Sequence, residues 1–279
     1  MRTDVVDLRD FYSTSLGRVA QRMIRRRLRL LWPDVSGLSM LGLGYATPFL
    51  RPFRDEAARL AAIMPASQGV LHWPPDEPNL VALADEAELP LPDLSMDRVL
   101  LVHAIETAEE LRPMMREVWR VLAGNGRVLV VAPNRRGVWA RREGNPFGSG
   151  RPYSVAQLER LMRDTMFTPL QTATALHVPP SRWRMVLTAA EAWEEAGARW
   201  FPVFGGVVMI EATKQIYAAA GRTVRKRRRE LVPAKRPIAV SAAAGGPDAS
   251  RSSPPATPPP AEARERCWSA PRPPPAAGR

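Results

Sequence analysis

Two short apolar runs, Arg98 to Val102 and Arg127 to Ala132, constrain the fold of this chain most. Each is rich in valine and leucine, too short for a buried helix and bounded by polar residues, so each reads as a strand buried on both faces. The segment between them, ending in Glu117-Val118-Trp119-Arg120-Val121, reads as a helix. Strand, helix, strand is the repeating unit of a parallel sheet with helices on both sides. Such sheets bind ligands beyond the carboxyl ends of their strands. His103 stands there after the first run, and Pro133-Asn134-Arg135-Arg136 after the second.

The alternation extends in both directions. Strands are expected at Leu38 to Leu43, Arg59 to Met64 and Asn79 to Ala84, with a helix from Pro48 to about Ala57. Residues 65–79 contain His72-Trp73-Pro74-Pro75, a rigid, non-helical connection in which Trp73 is either a packing anchor or a stacking surface for a ligand ring. Asp85 follows the third strand, with Glu86 and Ala87 in the turn. A carboxylate at that edge adds little to a core and points to a ligand, with helix capping as the rival role. Further on, Ala123-Gly124-Asn125-Gly126 reads as a structural turn, and Ser154 as the cap of a helix from Val155 to Thr165. A strand over 170–178, a helical insertion over 181–198 with Trp183 and Trp193, and a last strand over 204–213 complete the pattern.

Charge divides the chain. Of the net +12, nine charges fall after residue 221, in a segment holding Arg225-Lys226-Arg227-Arg228-Arg229 and then mostly Pro, Ala, Ser and Gly. That composition buries too little apolar area to offset chain entropy, so residues 222–279 are expected to be a disordered tail with weak affinity for nucleic acid or anionic surfaces. Residues 1–34 form an amphipathic helical segment: Leu16, Val19, Ala20, Met23, Ile24, Leu28 and Leu31 recur at helical spacing opposite five arginines. Packing on the sheet is the ordinary fate of such a stripe, a membrane surface the alternative. Phe11 and Tyr12, just before it, are placed to form part of a lid.

The 45% of hydrophobic residues in 279 suffices for one sizeable core, assigned to residues 35–221 with 181–203 as a cap. The single Cys267 excludes an internal disulfide, and His72, His103 and His177 lack metal-ligand spacing. No run of about twenty apolar residues suggests a transmembrane segment, and a cytoplasmic location is expected.

Asp85, Ala87, Glu88, Leu89, Pro90 and Asp97, with the run Glu117 to Gly126, resemble class I S-adenosylmethionine-dependent methyltransferases, most closely the methyltransferase type 11 subgroup that contains the ubiquinone-pathway enzymes. The resemblance implies a doubly wound, Rossmann-like α/β fold with a seven-stranded sheet and S-adenosyl-L-methionine as cofactor. It places the cofactor against Gly44, Tyr45 and Ala46 after the first strand, and against Asp85, Glu86 and Ala87 after the third, with Asp85 near the adenine amine. The first loop departs from the family's pattern: Gly42 stands where an acid is usual, and Ala46 and Pro48 replace two glycines. After the second strand Ser67 and Gln68 stand near where an acid usually holds the ribose. His103 lies where methyl group and acceptor meet, and histidine is able to take a proton from a hydroxyl or an acidic carbon; its rival role is a hydrogen bond to Glu106. Arg151 and Tyr153 stand on the acceptor side, and Arg135 and Arg136 are either simply solvated or approach an anionic acceptor.

Three functions are compatible with these residues. The first is methyl transfer to a small-molecule or lipid-like acceptor. The second is a noncatalytic scaffold or regulator on the same fold, suggested by the altered loop. The third is RNA binding or modification, suggested by the arginine runs.

Overall fold

The computed structural model describes residues 4–215, residue 182 excepted. The expected basic tail lies outside the described residues.

Seven strands form one sheet: β1 (Ser39–Gly44), β2 (Arg59–Pro65), β3 (Val81–Ala84), β4 (Met96–Val102), β5 (Leu122–Pro133), β6 (Phe167–Ala175) and β7 (Val207–Lys214). Their order is β3-β2-β1-β4-β5-β7-β6. The first five run parallel, while β7 is inserted antiparallel between β5 and β6. The order reverses between β1 and β4, which is where such a sheet opens a crevice for a ligand.

The side-chain period of two separates two cores. Met40, Leu100, Leu129 and Met209 point to one face, where α1 (Val5–Ser13) and α2 (Ser15–Leu31) pack. Leu41, Leu101, Val130 and Ile210 point to the other, against α4 (Leu111–Val121) and α5 (Val155–Asp164). The stripe foreseen on the second helix is a core face: Val19, Ala20, Met23, Ile24 and Leu28 are buried, so they are not free to lie on a membrane. Thr14 caps α2 by accepting from the Gly17 amide at 3.0 Å. Ser154 caps α5 as expected, in a reciprocal box with Gln157.

Several boundaries differ from expectation. The helix after β1 ends early: α3 spans only Thr47–Leu50, followed by a 3₁₀ turn Arg51–Phe53. Pro52 has no amide hydrogen to return to the Pro48 carbonyl, so the α-helical ladder fails there. That carbonyl instead accepts from the Arg25 guanidinium, Nε at 2.6 Å. Residues 123–126 are not a turn: β5 begins at Leu122, directly after α4, with a register irregularity between Met96 and Arg98 of its partner. The helical insertion is two helices, α6 (Arg184–Thr188) and α7 (Ala190–Trp200), and Trp183 and Trp193 are exposed on it. No described helix is long and apolar enough to cross a membrane.

Candidate functional site

At the order reversal, β1 ends in Gly44, which has φ +80°. A Cβ there would stand 2.5 Å from the Val102 carbonyl oxygen, so only glycine lets the loop pass this close to the end of β4. Tyr45 and Ala46 follow, both buried, and Ala46 opens α3. The acid missing at position 42 has no room to exist: a Cβ there would be 2.5 Å from Leu50 Cδ1 and 2.8 Å from Ala46 Cβ.

His103 follows β4 with φ +52°, in the left-handed region that a histidine adopts only when held. Two bonds hold it. Nδ1 lies 3.0 Å from Glu106 Oε1, and Nε2 lies 2.7 Å from the Tyr12 hydroxyl. The carboxylate accepts, so Nδ1 carries the hydrogen and Nε2 takes the Tyr12 O–H. All three side chains are buried. The bond to Glu106 foreseen as a rival role is therefore present, and Nε2, the nitrogen a base would use, is taken by Tyr12.

Tyr12 comes from α1, which the sequence pattern did not separate from α2. It stacks on Tyr45 with centroids 5.7 Å apart and meets Phe49 edge to face. The start of α1 is tied down through the Val5 amide, which donates to the Gln68 carbonyl at 2.9 Å. Gln68 Nε2 in turn donates to the His103 carbonyl at 3.0 Å. Where a lid was foreseen, Tyr12 thus closes onto His103, and Gln68 ties Val5 to the His103 carbonyl.

Burial foremost, then Tyr45 and Glu106, raises the Tyr12 pKa well above 10.0, and burial pushes Tyr45 up to about 12. The folded chain keeps phenol protons that the unfolded chain releases near pH 10, so this stabilisation is complete below that pH and is lost as pH climbs towards the folded values. Tyr12→Phe is expected to cost about 1 kcal/mol at neutral pH through the lost hydrogen bond. It should also flatten the loss of stability on the alkaline side, as read from urea midpoints below and above pH 10. An unchanged alkaline slope would remove Tyr12 from the titrating groups.

Beside this lid, the carboxyl ends of β2 and β3 open into a cavity of 370 Å³ lined by Pro65, Ala66, Ser67, Asp85, Glu86 and Ala87, with Glu109 and Glu110 across from them. Asp85 is exposed, and its Oδ1 accepts from the Ala87 amide at 2.8 Å, which fixes the carboxylate. Glu86 turns inward, accepting from the Glu109 amide at 3.0 Å, and burial leads the causes that raise its pKa. The expected site residues therefore fall into two groups. Asp85, Glu86, Ala87 and Ser67 share the cavity, while Tyr45 and His103 contact Tyr12, with Gly44 and Ala46 flanking Tyr45. Trp73 is not a wall of this cavity: it lines a different cleft, which Tyr45 also borders. Arg135, Arg136 and Arg151 are exposed, and the half-buried Tyr153 donates to the Ile105 carbonyl at 3.3 Å. Among the described residues no cluster is suited to a metal ion.

At this edge Asp85 offers an anchored carboxylate, an acceptor suited to the N–H donors of a ligand. Around His103, Gln68 Oε1 and Glu106 Oε2 are buried acceptors with no partner among the described residues, a set suited to a ligand carrying N–H donors or positive charge.

A family model described as "Methyltransferase domain" matches residues 43–130, the segment from the end of β1 into β5. Over that segment the chain is similar to S-adenosylmethionine-dependent methyltransferases, in agreement with the resemblance read from its residues. Two Mycobacterium tuberculosis proteins, each described as a probable S-adenosylmethionine-dependent methyltransferase, are 33% identical over 141 residues, covering 48% of this chain and 51% of theirs. The chain thus spans about half the length of the curated relatives it matches. Among solved structures, a Thermotoga maritima methyltransferase described as a possible histamine N-methyltransferase aligns with TM-score 0.55 and 19% identity, over 75% of this chain and 96% of that one. A putative Haloferax volcanii methyltransferase solved with the Trm112 activator aligns with TM-score 0.51 and 17% identity, over 71% and 94%. At these identities the structures establish the fold.

Proposed function

We propose that this chain transfers a methyl group from S-adenosyl-L-methionine to a small-molecule acceptor with an apolar body. The observation that carries this reading is the cavity at the carboxyl ends of β2 and β3, where Asp85 is fixed by its own turn and directed at a space of small-molecule size. Asp85 would accept from the purine amine and Ser67 from the ribose, while Gly44 to Ala46 would receive the amino-acid end. When bound, the cofactor supplies an electrophilic methyl group, and the remaining work is positioning.

The acceptor side follows from the other flank of Tyr12. A 530 Å³ cavity there is lined by Phe11, Leu16, Pro180 and Leu187 together with Arg142 and Asn145. Phe147 stands between it and His103, with ring centroids 5.2 Å from the imidazole and 6.2 Å from Phe11. An apolar body would lie along this aromatic path and bring its nucleophile towards His103. In that arrangement Glu106 orients the imidazole, and Tyr12 must yield Nε2 before His103 accepts a proton.

Calorimetric titration of the full chain with S-adenosylmethionine and S-adenosylhomocysteine tests this reading. Micromolar affinity is expected, and Asp85→Ala should weaken it about tenfold, the size of a charge-assisted hydrogen bond. No heat at millimolar cofactor would overturn the assignment. The scaffold alternative would then lead, since Tyr12 locked on His103 is the arrangement of a closed site.

A further inference from the structure

Four arginines converge on a cleft of 470 Å³ whose charged groups the methyl-transfer reading does not use, although Tyr45 of the proposed cofactor loop stands at its edge. Arg9 comes from α1, Arg25 from α2, and Arg51 and Arg54 from the turn after α3. Two of these charges are balanced: Arg9 Nη2 lies 3.0 Å from Asp10, and Arg54 is paired with Glu77. Arg25 and Arg51 have no carboxylate partner among the described residues.

Arg25 is held in place by the Pro48 carbonyl that Pro52 leaves free. Its pKa is lowered, by burial first and by the neighbouring Arg51 second, so two like charges are kept together in a partly desolvated place. Arg51 is exposed and gains nothing for the fold by remaining there. The half-buried Trp73 lines the same cleft, with Leu71 and Pro75.

We propose that this cleft binds a phosphate monoester, with the phosphate between Arg25 and Arg51 and the organic body against Trp73. Two unpaired guanidiniums match a dianion, whereas a carboxylate would neutralise only one of them. The indole face supplies contact for an aromatic or apolar body. Asp76 and Glu77 also line the cleft, so its positive potential is local and forms no track for a polyanion. The site shares only Tyr45 with the proposed cofactor loop, and phosphate binding by its arginines does not require methyl transfer.

Titration of the full chain with phenyl phosphate, inorganic phosphate and benzoate, followed by calorimetry, tests the assignment. Phenyl phosphate should bind with sub-millimolar affinity and more tightly than benzoate. Arg51→Ala should weaken it about tenfold, in line with one charge-assisted contact. Trp73→Ala should weaken phenyl phosphate while leaving inorganic phosphate unchanged, which also reports that this variant is folded. Arg22→Ala, an exposed arginine of α2 that does not line the cleft, should change nothing. Absent binding at millimolar phenyl phosphate, equal losses in Arg51→Ala and Arg22→Ala, or benzoate binding as well as phenyl phosphate would each overturn the proposal. A further arm locates the phosphate's source. Arg51-dependent sedimentation with phosphatidic acid vesicles places it on a lipid, and phenyl phosphate binding without sedimentation places it on a soluble molecule.

Discussion

Gly42→Asp, which restores the acid that the family resemblance leads one to expect, should lower stability by about 4 kcal/mol rather than improve the site. The first methylene alone would stand 2.5 Å from Leu50 Cδ1 and 2.8 Å from Ala46 Cβ. Leu50 can turn its branch, but it is fully buried and has nowhere to go, and Ala46 has no torsion to relieve the clash. The carboxylate would also enter a space lined by alkyl groups, where an unpaired charge is costly. Urea denaturation of the variant checks this, and Gly42→Asp combined with Leu50→Ala should recover part of the loss. A single variant as stable as the parent would mean that the loop can open to receive the acid. Gly42, Ala46 and Leu50 therefore act as one packing unit, and the altered loop is a changed core as much as a changed ligand contact.

The second large effect is expected at Glu211. Its carboxylate is buried in β7 and accepts from three donors: Trp32 Nε1 at 3.0 Å, Arg127 Nη1 at 3.1 Å and Gln171 Nε2 at 2.6 Å. Through it the residue that ends α2 is joined to β5, β6 and β7. Glu211→Ala should cost about 3 kcal/mol, because the buried Trp32 indole and the Gln171 amide lose their acceptor. Arg127, whose side chain is 44% exposed, recovers water and adds little. Glu211→Gln keeps an acceptor for Trp32 and should lose roughly half as much. Equal urea midpoints for the alanine variant and the parent would show that the three donors find water instead.

Periodicity made most of this fold legible. The strands around Val99 to Val102 and Val128 to Val131 fall where their short apolar runs predict, and the stripe from Val19 to Leu28 is buried because its spacing leaves it no other stable position. The boundaries that shifted did so for local reasons. Pro52 stopped α3 early by lacking one hydrogen, and β5 absorbed a glycine-containing segment because Leu122 pairs with Met96 at its start. The candidate site was legible by position, since Asp85 and His103 stand at strand ends that the pattern locates. Its closure was not. Tyr12 reaches His103 across 91 residues of sequence, and no periodic signal encodes such a contact. The arginine cleft is hidden for the same reason: its four cations come from three separate segments, and only the folding of α3 against α2 brings Arg25 beside Arg51.

The Tyr12–His103 bond also has a consequence for timing. Helix α1 is nine residues long and buries only Val5, Leu8 and Tyr12. Helices this short have little stability of their own. A molecule that reaches His103 Nε2 would therefore enter at the pace at which this helix lifts, on the order of microseconds to milliseconds, and its arrival would be metered by the protein's own breathing rather than by collision.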